Sequence, residues 1–375
     1  MKYILIGALC LLHVCSLAQK AEPILPYAKE RKEINWYREQ ASAWKKIVDA
    51  HPKDAVAWNY YFMATRILIN QNPDDQRSAA EKNKQLVGIA EDMLRELPES
   101  YEANYCRWQA EGNNMYNYPY LQKAISIAPE RTDHIDYMIN IGEMTRSISQ
   151  RNTYSLKKIE AGQMSAGMMY YNYNMLQGLD KKAILITAGD HDTYPAWALQ
   201  AKGVREDVLV LNIYLLQLQD YQKLIFSELG IPHNPDKAPD AESIISLISK
   251  NGKQRPVYVA LTTAGCEKYI RNIEQNLYLC GLTYRYDTSA FDNVAQLKRN
   301  FENAYALDYI DKSFYDEISP EWVRMLNANY VVPMFKLYEH YRDSGDIKHQ
   351  AWIRSKLELV AQGLEDPQSV LSKLD

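Results

Sequence analysis

The stretch that most constrains this chain is AILITAGDHDTYPAWALQAKGVREDVLVLN, residues 183–212. A short apolar run, 183–188, ends in a polar loop, Gly189-Asp190-His191-Asp192-Thr193. A brief helix over 194–202 follows, stops at Gly203, and gives way to a second apolar run, 208–213. β-Branched runs bracketing an amphipathic segment of about three turns predict a β-loop-α-β unit. Parallel strands joined in this way place the first loop at the carboxyl end of the sheet, beside a helix N-terminus. That is where α/β folds bind ligands.

The same grammar continues downstream. Helices over 218–229 and 241–251 flank a Pro/Asp loop at 231–240, and a third apolar run, 256–261, ends in Thr262-Thr263-Ala264-Gly265. Residues 267–279 are expected to be helical, with Cys266 and Cys280 at the two ends. That separation is about 20 Å at 1.5 Å rise per residue, well beyond the ~7 Å a disulfide spans. Residues 281–287 alternate like a half-exposed edge strand. Four strands are expected, at least three of them parallel.

Residues 30–150 and those from 319 onward have helical patterning only. His51-Pro52, Leu97-Pro98 and Ala128-Pro129 each mark a helix end, with Pro-to-Pro spacings of 46 and 31 residues. These straddle the roughly 34-residue period of tetratricopeptide arrays, so residues 30–150 and 320–363 resemble degenerate tetratricopeptide-like repeats. An irregular helical bundle is the alternative. In the C-terminal pair, Gly345 stands where a left-handed turn residue belongs. A helix around 160–176 ends at Gly178, and its row of Met164, Met168, Met169, Tyr170, Tyr171, Tyr173 and Met175 has core spacing. The fold class expected is α/β plus all-α: a mostly parallel, three-layer α/β module flanked by tetratricopeptide-like helical hairpins. Its division is a signal peptide at 1–18, a helical repeat-like domain at 30–180, the α/β module at 181–290 and a C-terminal helical hairpin region at 291–375.

Lys2, an apolar run at 3–12 and Ser16-Leu17-Ala18 before Gln19 have the form of a cleaved export signal. Cys15 raises a lipoprotein alternative, which Val14 disfavours because lipid attachment wants a small residue there. Export places the protein in the periplasm or outside the cell. No later stretch has the ~18 consecutive apolar residues of a membrane span, and a soluble mature protein is expected. Cleavage leaves Cys106, Cys266 and Cys280, an odd number, read as buried free thiols. A net charge of −4 with no basic stripe argues against nucleic-acid binding.

Asp190, His191, Asp192 and Thr193 form the strongest polar cluster. In the structural reading, Asp192 or Thr193 caps the following helix and Pro195 sits in its first turn. In the functional reading, two carboxylates and an imidazole meet a cation, a sugar hydroxyl or a basic side chain. Parallel strands would bring Asn212, Thr262 and Thr263 to the same rim, completing a ligand-binding pocket. Nucleotide-sugar transferases use Asp-x-Asp to hold a divalent ion. Those enzymes build an α/β half before the motif, whereas this chain is helical before residue 183. Nucleophile-elbow, dinucleotide, P-loop, His-Glu-x-x-His and Cys-x-x-Cys patterns are absent. His51, His134, His233, His340 and His349 are dispersed, and His134 is expected to be solvated. No catalytic residue, metal site or cofactor is therefore assigned.

Residues 171–176, the loop Gly189-Asp190-His191-Asp192-Thr193-Tyr194-Pro195, residues 203–208 and Gly281-Leu282-Thr283-Tyr284-Arg285 carry a resemblance. Together they resemble the soluble C-terminal tail of a bacterial membrane family related to protein O-mannosyltransferases, over residues 165–360. The resemblance implies an exported α/β module with flanking helices, and a loose association with envelope glycosylation. The family has Asn where this chain has His191, and its glycosyl transfer belongs to a membrane-spanning region. The function expected is thus a non-catalytic binding or scaffold role toward an envelope protein or glycan-related partner. The alternative is an enzyme acting on envelope glycans through Asp190 or Asp192 with His191. A third reading is a detached partner of a separate membrane transferase.

Overall fold

The computed structural model describes residues 20–27, 30–112, 114–232, 241–252, 255–312 and 315–374. The expected export segment, with Cys10 and Cys15, and His233 in the Pro/Asp loop lie outside the described residues. Among the described residues no helix is long and apolar enough to cross a membrane. The chain divides into two compact units, Met1–His134 and Ile135–Asp375.

The first unit is built from α1 (Ile34–Ala50), α2 (Ala55–Gln71), α3 (Ala79–Glu96), α4 (Tyr101–Gln109) and α5 (Tyr118–Ile127). Its helix starts are written locally. The Asp54 carboxylate accepts from the Ala57 amide at 3.0 Å, Ser78 and Glu81 form a reciprocal capping box, and the Ser100 hydroxyl accepts from the Ala103 amide at 3.1 Å. Each cap satisfies an amide that has no partner inside its helix. Trp58, Phe62, Met93 and Cys106 fill the core between these helices. His134, expected to be solvated, is buried at the end of this unit.

The second unit opens with α6 (Ile135–Met144), α7 (Ile148–Glu160) and α8 (Ala166–Gln177). These helices share one core with the sheet: Ile139, Tyr171 and Met175 belong to the same cluster as Ile186 and Leu211. Then come β1 (Ile184–Thr187), α9 (Asp190–Ala201), β2 (Leu209–Asn212), α10 (Gln219–Leu229), α11 (Ala241–Asn251) and β3 (Val257–Ala260). A one-turn α12 (Leu261–Ala264), β4 (Leu277–Leu279), β5 (Thr283–Tyr286) and α13 (Asn293–Arg299) follow. The chain ends in α14 (Pro320–Asn327), α15 (Val331–Ser344), α16 (Ile347–Ala361) and α17 (Gln368–Leu371). The described residues are mostly helical, with one small mixed sheet in the second unit, ordered β2-β1-β3-β5-β4. The first three strands are parallel, with Thr187 opposite Asn212 and Ile186 opposite Val259. Both remaining pairings are antiparallel. Residues of β1, β2 and β3 are buried throughout, which explains their unbroken apolar runs.

Several elements differ from the expectation. The helix foreseen at 267–279 is two short 3-10 turns followed by β4. A tight reversal at Cys280-Gly281-Leu282 folds β4 back on β5, so β5 is an interior strand and β4 the edge. Gly281 makes this possible with φ +114°, a region closed to side chains. The separation of Cys266 from Cys280 therefore does not follow from a helix, although both, with Cys106, are free thiols and Cys266 is only half-buried. The helix foreseen at 160–176 is broken: α7 ends at Glu160, Gly162 turns with φ +66°, and Ser165 caps α8. Gly178 closes α8 in a right-handed conformation. Its missing side chain matters because Tyr305 and Asn300 pack against its Cα. Gly345 holds the predicted left-handed turn between α15 and α16, at φ +73°.

Gly281→Ala is expected to destabilise the second unit by on the order of 2 kcal/mol or more. The new Cβ would occupy the place of the Tyr305 hydroxyl, which accepts from the Leu282 amide at 3.2 Å. Urea unfolding of the wild type and the variant, followed by tryptophan fluorescence, measures the difference.

Candidate functional site

The loop foreseen at 189–193 is the first turn of a helix. α9 starts at Asp190 rather than at residue 194 and runs to Ala201, with Gly189 as its extended N-cap. Asp192, at the third helical position, turns back on the strand end: its carboxylate accepts from the Gly189 amide at 2.7 Å and the Ala188 amide at 3.1 Å. A carboxylate at this position both satisfies orphan amides and complements the helix dipole. Pro195 lies inside the helix, not at its start. Proline cannot donate to the carbonyl four residues earlier, and here the Asn172 side-chain amide donates to the His191 carbonyl at 2.9 Å instead.

The parallel strands bring five of the predicted residues together. Thr262, on α12 after β3, donates its hydroxyl to the second oxygen of Asp192. Thr193 shares a hydrogen bond with Thr187 at 2.7 Å and accepts from the Asn212 amide at 3.0 Å. Asn212 also donates to the Ala188 carbonyl at 3.1 Å and accepts from the Tyr214 amide at 2.9 Å. Thr263 donates to the Ile186 carbonyl at 3.3 Å. Asp192, Thr193, Asn212 and Thr263 are buried, and Thr262 is half-buried. This network spans the carboxyl ends of β2, β1 and β3, where the strand order reverses about β1. Open α/β sheets bind ligands in that crevice; here the protein's own side chains fill it.

Two consequences follow for chemistry. The amides that would cradle a phosphate at the α9 N-terminus already face the Asp192 carboxylate. The Asp-x-Asp pair cannot present both carboxylates to one cation without breaking the Asp192 bonds. Among the described residues, no group of three or more His, Cys, Asp or Glu is arranged to hold a metal ion. Burial pushes the Asp192 pKa up, opposed by the hydrogen bonds from Thr262, Ala188, Gly189 and Thr193.

Asp190 and His191 lie outside this lock, on a rim that continues over neighbouring helices. Desolvation, then the nearby Asp136, pushes the Asp190 pKa up to about 6, with Lys158 pulling the other way. The side chain keeps contact with solvent, which tempers the effect. The His191 ring packs on Trp322 of α14, with centroids 4.2 Å apart. α8 packs against both α9 and α14 and carries Tyr170, which stacks on Tyr309 at 5.1 Å with the rings 10° from parallel. Tyr170 remains 42% exposed, with Ile318 at 56% and Met325 at 52% nearby in the chain segment leading through α14. The Met/Tyr row of α8 is thus core at Met168, Tyr171 and Met175, while Tyr170 faces out. Sequence reasoning missed Trp322, Tyr170, Asn172 and Thr187. Trp322 has no local signal, because more than a hundred residues separate it from the loop it covers.

Residues 168–225 match the family described as TMEM260-associated domain 2. The match runs from α8 into α10 and includes Asp190, His191, Asp192, Thr193 and Asn212, but neither Thr262 nor Thr263. No curated protein and no solved structure has significant similarity to the chain.

The two carboxylates are expected to respond oppositely to amidation. Asp192→Asn places an NH2 group where an acceptor is needed and should destabilise by about 2 kcal/mol. Asp190 has its pKa raised from an unfolded value near 3.9 to about 6, so the folded state holds the proton more tightly. Its effect on stability is therefore favourable at low pH and declines as pH rises through that window. Asp190→Asn should raise the melting temperature at pH 7, and the gain should vanish below about pH 4. Thermal unfolding from pH 3.5 to 7.5 checks both variants.

Proposed function

We propose that the protein is an exported, soluble cell-envelope protein with a non-catalytic binding role, linked to envelope glycosylation. Its ligand is a partner protein or a small polar group, taken at the Asp190–His191 rim. The observation that carries this reading is the pairing of partly exposed aromatic rings with acidic residues that reach the surface beside them. Tyr170 and the His191–Trp322 pair offer flat apolar faces, and Asp190 on α9 and Glu321 on α14, both exposed, supply acceptors. Such a rim suits the C–H face and hydroxyls of a sugar, or a basic and aromatic peptide segment. The buried Asp192 network, by contrast, acts as the foundation that fixes α9 against the sheet. Similarity to a family linked to a glycosyltransferase-like membrane protein supports the glycosylation context.

In this reading the module is a three-layer α/β unit whose parallel half carries the rim. The helices α1–α5 and the α15–α16 pair serve as tetratricopeptide-like surfaces for peptide contact. The export signal at 1–18 delivers the protein to the periplasm or the exterior, where an envelope protein or a glycosylated substrate of a separate transferase is the partner.

A second reading is favoured by one observation, the raised pKa of Asp190. A carboxyl that holds its proton near neutrality can act as a general acid on an envelope glycan. Hydrolysis of this kind uses two carboxyls roughly 5–9.5 Å apart. Asp192 is committed to its internal bonds, so a partner for Asp190 would have to come from Asp136 or an acidic residue of the α14 segment.

Binding of the purified protein to an immobilised mannosylated peptide and to its unmodified form separates these readings. Trp322→Ala and Tyr170→Ala should each weaken binding at least tenfold and leave the melting temperature within a few degrees. Absence of binding to both peptides and to envelope extract would overturn the binding role. Release of reducing sugar from envelope glycans, abolished by Asp190→Asn, would establish the enzymatic reading in its place.

A further inference from the structure

The helical first unit holds a segment that belongs to none of its helices. Residues 20–26 form neither helix nor strand and run back along α1. Tyr27 meets Tyr37, with ring centroids 6.3 Å apart, and Glu22 meets Gln40 and Trp44 further along the helix. Between these points Ile24 is buried, in one cluster with Tyr37 and Ala41 of α1 and Ala64 and Ile67 of α2. Alanine at both 41 and 64 leaves the paired helices short of side-chain bulk here, and Ile24 supplies it from a third segment.

Apart from that anchor, the segment is held by its main chain. The Gln40 side chain, fully buried on α1, accepts from the Glu22 amide at 2.8 Å and donates to the Lys20 carbonyl at 3.2 Å. The Trp44 indole N–H donates to the Glu22 carbonyl at 2.8 Å. A buried amide side chain needs partners at both ends. Gln40 finds both on the backbone, whose polar groups recur at every residue whatever its side chain. Glu22, Pro23, Leu25 and Pro26 are exposed, Leu25 by 49%. What α1 and α2 read is therefore a non-helical backbone and one aliphatic side chain, the combination by which linear peptides are recognised. Pro23 and Pro26 fix their own φ and steer Glu22 and Leu25 away from helix. A chain restricted in this way loses less freedom on docking.

We propose that the groove between α1 and α2 is a peptide-recognition site, closed in cis by residues 20–26 and opened to an extended segment of another protein that seats an aliphatic side chain where Ile24 sits. Such a segment needs a free main-chain N–H two residues before its anchor and carbonyls two and four residues before it. Its other side chains are unrestricted. The proposal deepens the reading of α1–α5 as a peptide-contact surface and rests on it, and it makes no use of the Asp190–His191 rim. Residues 20–26 act as a resident competitor, kept at an effective concentration on the order of millimolar by their short tether. When they leave, water takes their place on Gln40 and Trp44, so opening does not require α1 and α2 to unfold.

The probe is a fluorescein-labelled peptide of sequence Lys20-Ala21-Glu22-Pro23-Ile24-Leu25-Pro26-Tyr27, titrated with the full chain and followed by anisotropy. Ile24→Asp in the protein releases the resident segment, so the peptide should bind this variant roughly tenfold or more tightly than the wild type. Adding Gln40→Ala should reverse the gain, and a peptide carrying Ile24→Asp should not bind. If Ile24→Asp does not fold, Ile24→Ala should show a smaller gain of the same sign. Hydrogen exchange of the wild type is a second readout: amides of residues 21–25 should exchange well before those inside α1 and α2. Equal affinity for the wild type and the Ile24 variants, affinity retained after Gln40→Ala, or exchange of 21–25 only together with α1 and α2 overturns the proposal. So do wild-type dimers that Ile24→Asp abolishes, since they would give the groove to a second copy of this chain. Trp322→Ala should leave the affinity for this peptide unchanged, so failure of the groove and failure of the rim are read separately.

Discussion

The second unit depends on one buried carboxylate. Asp192 accepts from two backbone amides of the β1–α9 turn and from the hydroxyl of Thr262 beyond β3. Taking a carboxylate out of water costs several kcal/mol, and hydrogen bonds to a charged group return about 1.5–3 kcal/mol each. The position is stable only while all of these donors stay in place. That condition fixes the N-terminus of α9 against β1, the approach of α12 to β1, and through Thr193 and Asn212 the end of β2. The carboxyl ends of three strands are therefore held as one rigid platform.

A platform of that kind decides what its neighbours can do. The crevice where a doubly wound sheet would accept a phosphate is closed by side chains, and a negative charge already sits on the helix dipole. In the proposed binding role, recognition lies further out, at the first turn of α9 and the aromatic surfaces of α8 and α14. Asp190 and Asp192 are two residues apart and differ completely in role. One points inward and is saturated; the other faces solvent with its proton held up to about pH 6. At the amino-terminal end of the strands, buried Glu143 gathers Arg146 and Arg151, and Arg255 donates to the carbonyls of Lys182, Ala183 and Asp207.

Much of this architecture is written in short-range pattern. Unbroken apolar runs at 183–188, 208–213 and 256–261 identify β1, β2 and β3 within a residue or two, because strands buried on both faces admit no polar alternation. The αL glycine at 345 and the capping residues Asp54 and Ser100 mark their turns and helix starts for equally local reasons. The Gly-Asp-His-Asp-Thr cluster is equally conspicuous in sequence, and chain direction suffices to bring Asn212, Thr262 and Thr263 near it.

What the sequence could not settle required knowledge of distant partners. Residues 277–279 became a strand rather than a helix end because Gly281 lets them pair with β5, a tertiary gain that outweighs helical pattern. α9 could start at Asp190 despite Pro195, because Asn172 of another helix supplies the missing donor. Which of two carboxylates is structural was decided by Thr262, seventy residues away. The covering of His191 by Trp322, and the gathering of Arg146 and Arg151 around buried Glu143, likewise depend on side chains that meet only after folding. Residue type and local period determined which segments are strands and which loop is polar. Only the packed structure, by satisfying or stranding each buried charge, decided what those residues are free to bind.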